Sequence, residues 1–433
     1  MEKSDQIEKL VQLLDETIKH TTFNAGKYGC ISPDDLRQRY HRPDGQAELS
    51  ITPTDIEVPD NVFELLMNVF RPLIQPYINT NTNKIGNIAS LIPSSTSVSR
   101  PEHFVKILIQ AAVLLGSKHS AEIFLGWVEG KVLPYKHKVL LWGVDADSPL
   151  KLIASGLELR ALKDITPDID DDLLAEMIGS YSKHPESMGG AVLIIDCEAS
   201  PVLYKPIRDT GFEEGKHTWA HGSTSDDFED ELCDALSLAC NGYVRWKTSW
   251  SSRGSLRAFK SLGVSAYRFS DTPIPTYHRI KLTQEELMDA VDIYQMRHNY
   301  HTKRRSIDIA IHRWVKSIQP RLRFADQCIE LRIALEALFL GSDGRGVGYR
   351  LATNAAWYLG NNSKERQEYF GLFHKIYKLA SQVIHARHSE TTVREDEELL
   401  KAAQNVCREG ILKRLKEKEE PNWDDLILGA DDK

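Results

Sequence analysis

Cys328–Gly341 reads CIELRIALEALFLG, Gly348–Gly360 reads GYRLATNAAWYLG, and Phe373–His388 reads FHKIYKLASQVIHARH. Each stretch repeats apolar residues three and four apart, the spacing of one face of an α-helix. Phe324, Cys328, Leu331, Leu335, Leu338 and Phe339 form the first such face. The glycine-rich GSDGRGVG segment leads into the second helix and lacks the Lys-Ser/Thr ending of a phosphate-binding loop. The same period continues on both sides. Upstream, Ile307, Ile311, Trp314, Val315 and Ile318 share a face, and Thr283-Gln-Glu-Glu286 is a capping box that opens another helix. Downstream, Thr392-Val-Arg-Glu395 has the wording of a cap for a last helix through about Leu415. Six helices in succession make the region from Lys281 an all-α bundle.

The signal changes before Thr272-Pro-Ile-Pro-Thr-Tyr277, whose prolines resist both helix and central strand. EIFLGWVEG, KVLLWGVDA, LKLIASGLEL, AVLIIDCEA and PVLYKPI are short runs rich in β-formers and broken by Gly, Asp and Pro. A helix over Asp171–Ser182 interrupts them. Nearer the start, Ser4–Ile18, Asn61–Ile78 and Glu102–Leu115 carry helical periods. The expected fold class is α+β, a mixed α/β N-terminal region followed by a C-terminal helical bundle. The expected division is a helical or irregular flank over 1–100, an α/β region over 101–275, a bundle over 281–418 and a loosely held acidic tail over 419–433.

The 433 residues suffice for two or three domains, with 41% hydrophobic and 27% charged residues, ordinary for a globular protein. The net charge of −8 argues against a surface generally coated by nucleic acid. The imbalance is local. Residues from Lys281 onward carry 25 basic and 24 acidic side chains, against 29 and 38 before them. The C-terminal part therefore tolerates a polyanion better. MEKSDQIEKL has no apolar core and no run approaches a membrane span, so neither a secretory leader nor a membrane location is expected. The six cysteines include no CxxC pair, which fits free thiols in the cytoplasm and no structural zinc.

The wording of the three helices resembles the C-terminal HEPN domain of the ApeA-like family over about Thr283–Leu415. That family's last segment runs Tyr-x-Leu-Arg-Ser-x-x-x-His, and its Arg and His cut RNA. Tyr377, Leu379, Ser381 and His385 match that pattern, while the arginine position is Ala380. Asp326 and Glu336 match acidic positions of the first helix and its approach, and Arg350 matches the Tyr-Arg-Leu-Ala helix start. The resemblance implies a homodimer in which two motif helices face one groove. It also implies metal-independent RNA cleavage, with RNA, tRNA among the candidates, as substrate and no cofactor. The biological setting it implies is anti-phage defence by abortive infection, with a phage-derived trigger acting on the N-terminal region.

The chemistry explains the residue types. Cleavage without a metal needs a group that exchanges protons near neutrality, which histidine does. It also needs a cation that grips phosphate oxygens, which a guanidinium does in a fixed fork. Ala380 offers only a methyl. Either an inactivating change replaces a native arginine, or the protein is a non-catalytic HEPN dimer that binds RNA or a partner protein. Lys378 and Arg387 flank the motif, and Lys303, Arg304 and Arg305 lie with His298 and His301 in a basic strip around Tyr300. These are candidate RNA contacts. Arg305 and His312 form a second Arg–His arrangement outside the motif helix.

Weaker signals lie upstream. Asp196 and Glu198 stand on one face of a strand end, where some magnesium nucleases place acids. His217 and His221 have metal-ligand spacing if helical. Trp219, Trp246 and Trp250 sit in polar sequence where binding aromatics often stand, while Trp127 and Trp142 read as core.

Overall fold

The computed structural model describes residues 3–24, 30–40, 53–87, 97–146, 148–165, 190–200, 203–204, 216–219, 222–223, 227–252, 267–269, 280–300, 304–340, 347–384 and 393–429. Its β-rich part is an antiparallel sheet of eight strands, built on two ten-residue strands, β1 (Leu133–Trp142) and β4 (Ala191–Ser200). They pair along most of their length, with Leu193 opposite Val139 and Ile195 opposite His137. The far edge of β4 is shared. It pairs over Ala191–Ile195 with β3 (Leu157–Ala161), which in turn pairs with β2 (Leu150–Leu152). Over Cys197–Ser200 it pairs with β5 (Lys216–Trp219), followed by β6 (Gly222–Ser223). On the other side β1 pairs with β7 (Arg245–Ser252), and β7 with β8 (Tyr267–Phe269).

The continuous apolar run AVLII is explained by burial on both faces. Ala191, Leu193 and Ile195 enter the main core, while Val192 and Ile194 enter a second cluster with Leu140, Leu162, Ile165 and Trp250. That second face turns to solvent at Asp196 and Glu198, both exposed. A bulge in β7 between Trp246 and Thr248 shifts the register against β1. The extra residue reverses the alternation. Trp246 therefore faces the main core and Trp250 the second cluster.

The N-terminal helices are α1 (Lys3–Lys19), α2 (Pro33–Tyr40), α3 (Asp60–Ile74), α4 (Pro101–Leu115) and α5 (Ser117–Val128). The EIFLGWVEG run, expected as a strand, is the end of α5. Buried Ser117, Ser120, Ala121, Phe124 and Leu125 follow the helical period, and the Phe124 ring stacks on Phe70 at 4.5 Å. Helix α4 is buried around nearly its whole circumference, and α1, α2, α3 and α5 pack on it. The helices before and after Arg100 thus share one packed cluster. The stretch Asp171–Ser182, expected as a helix, lies outside the described residues.

Helix α6 (Phe228–Cys240) lies against the sheet and ends at Asn241, whose left-handed φ of 50° stops it. Its other side receives the helical region. That region comprises α7 (Gln284–His298), α8 (Arg304–Ser317), α9 (Phe324–Phe339), α10 (Val347–Leu359), α11 (Ser363–Ile384), α12 (Val393–Glu417) and α13 (Trp423–Leu428). The fold is therefore α+β, strands first and helices after. One strand signal crosses the Pro-rich boundary, because Ile280–Lys281 pairs in parallel with Val144–Asp145. The capping box forms as the sequence predicts, Thr283 Oγ1 accepting from the Glu286 N–H at 3.1 Å and the Glu286 carboxylate accepting from the Thr283 N–H at 2.8 Å.

Inside the bundle, Trp314 donates its indole N–H to the Gln404 carbonyl, and Gln404 donates to the Ser317 carbonyl. Arg414 is only 1% exposed and donates to the Leu338 carbonyl at 3.0 Å and the Tyr300 hydroxyl at 3.2 Å. The acidic tail, expected to be loosely held, instead folds as α13. Trp423 packs edge-on against Phe339 and Tyr358, with the Arg414 guanidinium 5.7 Å from its ring. One half-buried indole on two aromatic edges holds this short helix to the bundle.

Strand, α6 and bundle meet at Asp234. Its carboxylate accepts from Arg245 of β7 at 2.9 Å and from Arg297 of α7 at 3.2 Å, and Arg297 also donates to Asp308 of α8 at 2.7 Å. Burial pulls the Arg297 guanidinium pKa down, but Asp234 and then Asp308 outweigh it and hold it above its ordinary value. Arg408 of α12 donates to the last carbonyls of α6, those of Leu238 and Ala239. Asp234→Asn is expected to cost about 3–5 kcal/mol in urea unfolding, because it leaves two buried cations sharing no carboxylate. A loss under about 1 kcal/mol would show that the junction carries little stability.

Candidate functional site

The motif helix α11 starts at a built cap, where Asn362 Oδ1 accepts from the Glu365 N–H at 3.0 Å. It packs antiparallel-fashion next to α10 in the chain and also against α9 and α12. Phe373, Ile376, Leu379 and Ala380 form its buried stripe. Ala380 is 0% exposed and belongs to the main core. The position matched to the family's arginine is therefore closed within one chain. Placing a guanidinium there requires repacking, or burying a charge without a carboxylate.

Ser381 and Tyr377 are partly exposed, and Lys378 is exposed. His385, the residue after α11, lies outside the described residues, as do Arg387 and Lys303. Arg304 opens α8, and Arg305 is exposed in its first turn. Asp326 is exposed in the first turn of α9, ten residues before Glu336 and so about 15 Å along the axis. Arg350 is partly buried on α10. Among the described residues of the sequence-derived set, the structure brings Glu336 of α9 to Tyr377 of α11.

What joins them is a residue the sequence reading passed over. Arg332 of α9 donates through Nε to Glu336 Oε1 at 2.7 Å and through Nη2 to the Tyr377 hydroxyl at 2.7 Å. Its guanidinium lies 4.3 Å from the centre of the Tyr377 ring. The Arg332–Glu336 spacing of four residues on one helix was a readable signal. The side chains stay partly open, at 27% for Arg332 and 32% for Glu336. Burial raises the Tyr377 phenol, with Arg332 acting against it, so the hydroxyl stays protonated at neutral pH.

The other candidates separate. Tyr300 is buried on Arg414, and His298 stacks on Tyr294 at 4.2 Å with Glu231 at 3.4 Å, while His301 and Lys303 lie outside the described residues. Trp219, Trp246 and Trp250 are buried rather than lining a recognition surface, and Trp127 is core as expected. Asp196 and Glu198 share an open face, but no group of three metal-binding side chains occurs among the described residues. His217 lies on strand β5, so the helical spacing to His221 does not apply. Ser251, His137 and Glu229 form a chain of 3.2 Å contacts, and Ser249 also donates to Glu229. The imidazole and carboxylate are 2% and 1% exposed, so this chain reads as packing between sheet and α6 rather than as a relay open to substrate.

No family model matches the chain, and neither a curated protein nor a solved structure matches it. Ala380→Arg is expected to lower unfolding free energy by about 3 kcal/mol in urea titration. An unchanged midpoint would show that a side chain at 380 finds its way to solvent.

Proposed function

We propose that the chain is a HEPN-type, RNA-directed effector of anti-phage defence, acting in the cytoplasm as a homodimer. The bundle is the effector, and the sheet-bearing part senses or restrains it. The observation that carries this reading is the partly open cluster in which Arg332 and Glu336 of α9 meet Tyr377 of the motif helix α11. No helix among the described residues is long and apolar enough to cross a membrane.

The reaction is transesterification. The ribose 2′-oxygen attacks the adjacent phosphorus, its proton passes to a base, and the 5′-oxygen leaves with a proton from an acid. The products are a 2′,3′-cyclic phosphate and a 5′-hydroxyl. His385 takes the acid/base role, since an imidazole holds or releases a proton near pH 7. No metal or cofactor enters the scheme.

A second reading is favoured by the closed environment of Ala380. In it, alanine is the residue this core was built around, and the bundle is a non-catalytic dimer that binds RNA or a partner protein. The test is incubation of the purified chain with tRNA and single-stranded RNA in excess chelator, scored by cyclic-phosphate ends. Cleavage is expected from the chain, or from its Ala380→Arg variant where the alanine replaces a native arginine, with His385→Ala slower by about 100-fold or more. RNA binding or dimerisation without any cleavage selects the second reading. Cleavage that requires magnesium overturns both and directs attention to Asp196 and Glu198.

A further inference from the structure

We propose that Arg332 is the phosphate-binding cation of this bundle, doing from α9 what residue 380 cannot do from α11. The inference rests on the reading of the bundle as RNA-directed and names the group that touches the RNA backbone.

Three observations point to it. The first is the state of the guanidinium. Arginine has five N–H donors. Arg332 spends Nε–H on Glu336 and one Nη2 hydrogen on Tyr377, and its Nη1 has no partner among the described residues. The remaining N–H groups can donate to two oxygens of a phosphate. The second is preorganisation. Glu336 and the Tyr377 ring hold the plane from two directions, so little rotamer entropy remains to be lost on binding. Gly348 at the start of α10 maintains this arrangement, because a Cβ there would come within 2.7 Å of Tyr377 Cδ1. Any larger residue pushes the ring off its seat and the guanidinium with it.

The third is placement. Tyr377 and Ser381 are four residues apart and so neighbours on one face of α11, while Ala380 points into the core. The guanidinium over Tyr377 therefore stands on the partly open side of the helix, one turn from Ser381. Lys378, exposed beside it, adds positive charge. Glu336 opposes a phosphate, but it occupies the Nε edge and neutralises rather than blocks. The grip thus depends on directed N–H donors more than on net charge.

This predicts a particular response to substitution. Lysine keeps the charge and loses the fork, so Arg332→Lys and Arg332→Gln are both expected to weaken the RNA interaction. The measurements are anisotropy titrations of a fluorescent single-stranded RNA at several salt concentrations, and cleavage rates in chelator, on the full-length dimer. Both variants are expected to lose about tenfold or more in affinity or rate, with the salt slope falling by about 0.7 for Arg332→Gln and staying near the parent's for Arg332→Lys, which keeps the charge. Melting temperatures within a few degrees of the parent keep the comparison clean, and Tyr377→Phe, which retains the ring, is expected to lose less than either. If the Arg332 variants bind and cleave like the parent while His385→Ala is impaired, Arg332 is not the clamp and the RNA reading stands. If the parent neither binds nor cleaves RNA, both are wrong.

Discussion

The carboxylate of Asp234, shared between two arginines inside the protein, is the constraint on which the rest of the architecture depends. Its side chain is 4% exposed and those of Arg245 and Arg297 are 9%. Ions so removed from water carry a desolvation cost of several kcal/mol each, which only close and well-hydrogen-bonded partners offset. That requirement fixes β7, α6, α7 and α8 relative to one another at a single point. The grip of Arg408 on the end of α6 adds a second. A displacement of the sheet therefore reaches the bundle through α6, and the two parts share one hydrophobic core rather than a hinge.

Much of this was legible in the residues. The helical periods from Thr283 onward, the capping box and the long apolar strand at Ala191 all form where the spacing places them. The failures have physical causes. EIFLGWVEG is too short for its period to separate strand from helix, and its partners on Phe70 and Phe104 are distant in sequence. Trp246 and Trp250 stand in polar wording because their neighbours Arg245, Thr248 and Ser249 are themselves buried, Arg245 and Ser249 on carboxylates of α6, and the bulge at Lys247 breaks the alternation. Trp423 looked like part of a solvated tail because the aromatic edges it meets come from two other helices.

The site was half legible for a similar reason. A motif written along one helix directs attention to that helix, and position 380 looked like a lost function. Within one chain that position carries a methyl with no exposure, packed in the core. The cation that stands over the open face of α11 comes from α9, forty-five residues earlier, and only the fold brings it there. The Arg332–Glu336 pair reads from sequence as an ordinary surface ion pair worth little. Tyr377 gives it direction, and Gly348 gives Tyr377 its place.

The claim that sheet and bundle are welded at Asp234 is tested most directly by native-state hydrogen exchange across a urea series. Buried amides of β1, β4, α6 and α8 are predicted to converge on one opening free energy with one urea dependence. Exchange of the bundle at a distinctly lower free energy, with the strands still protected, would contradict it.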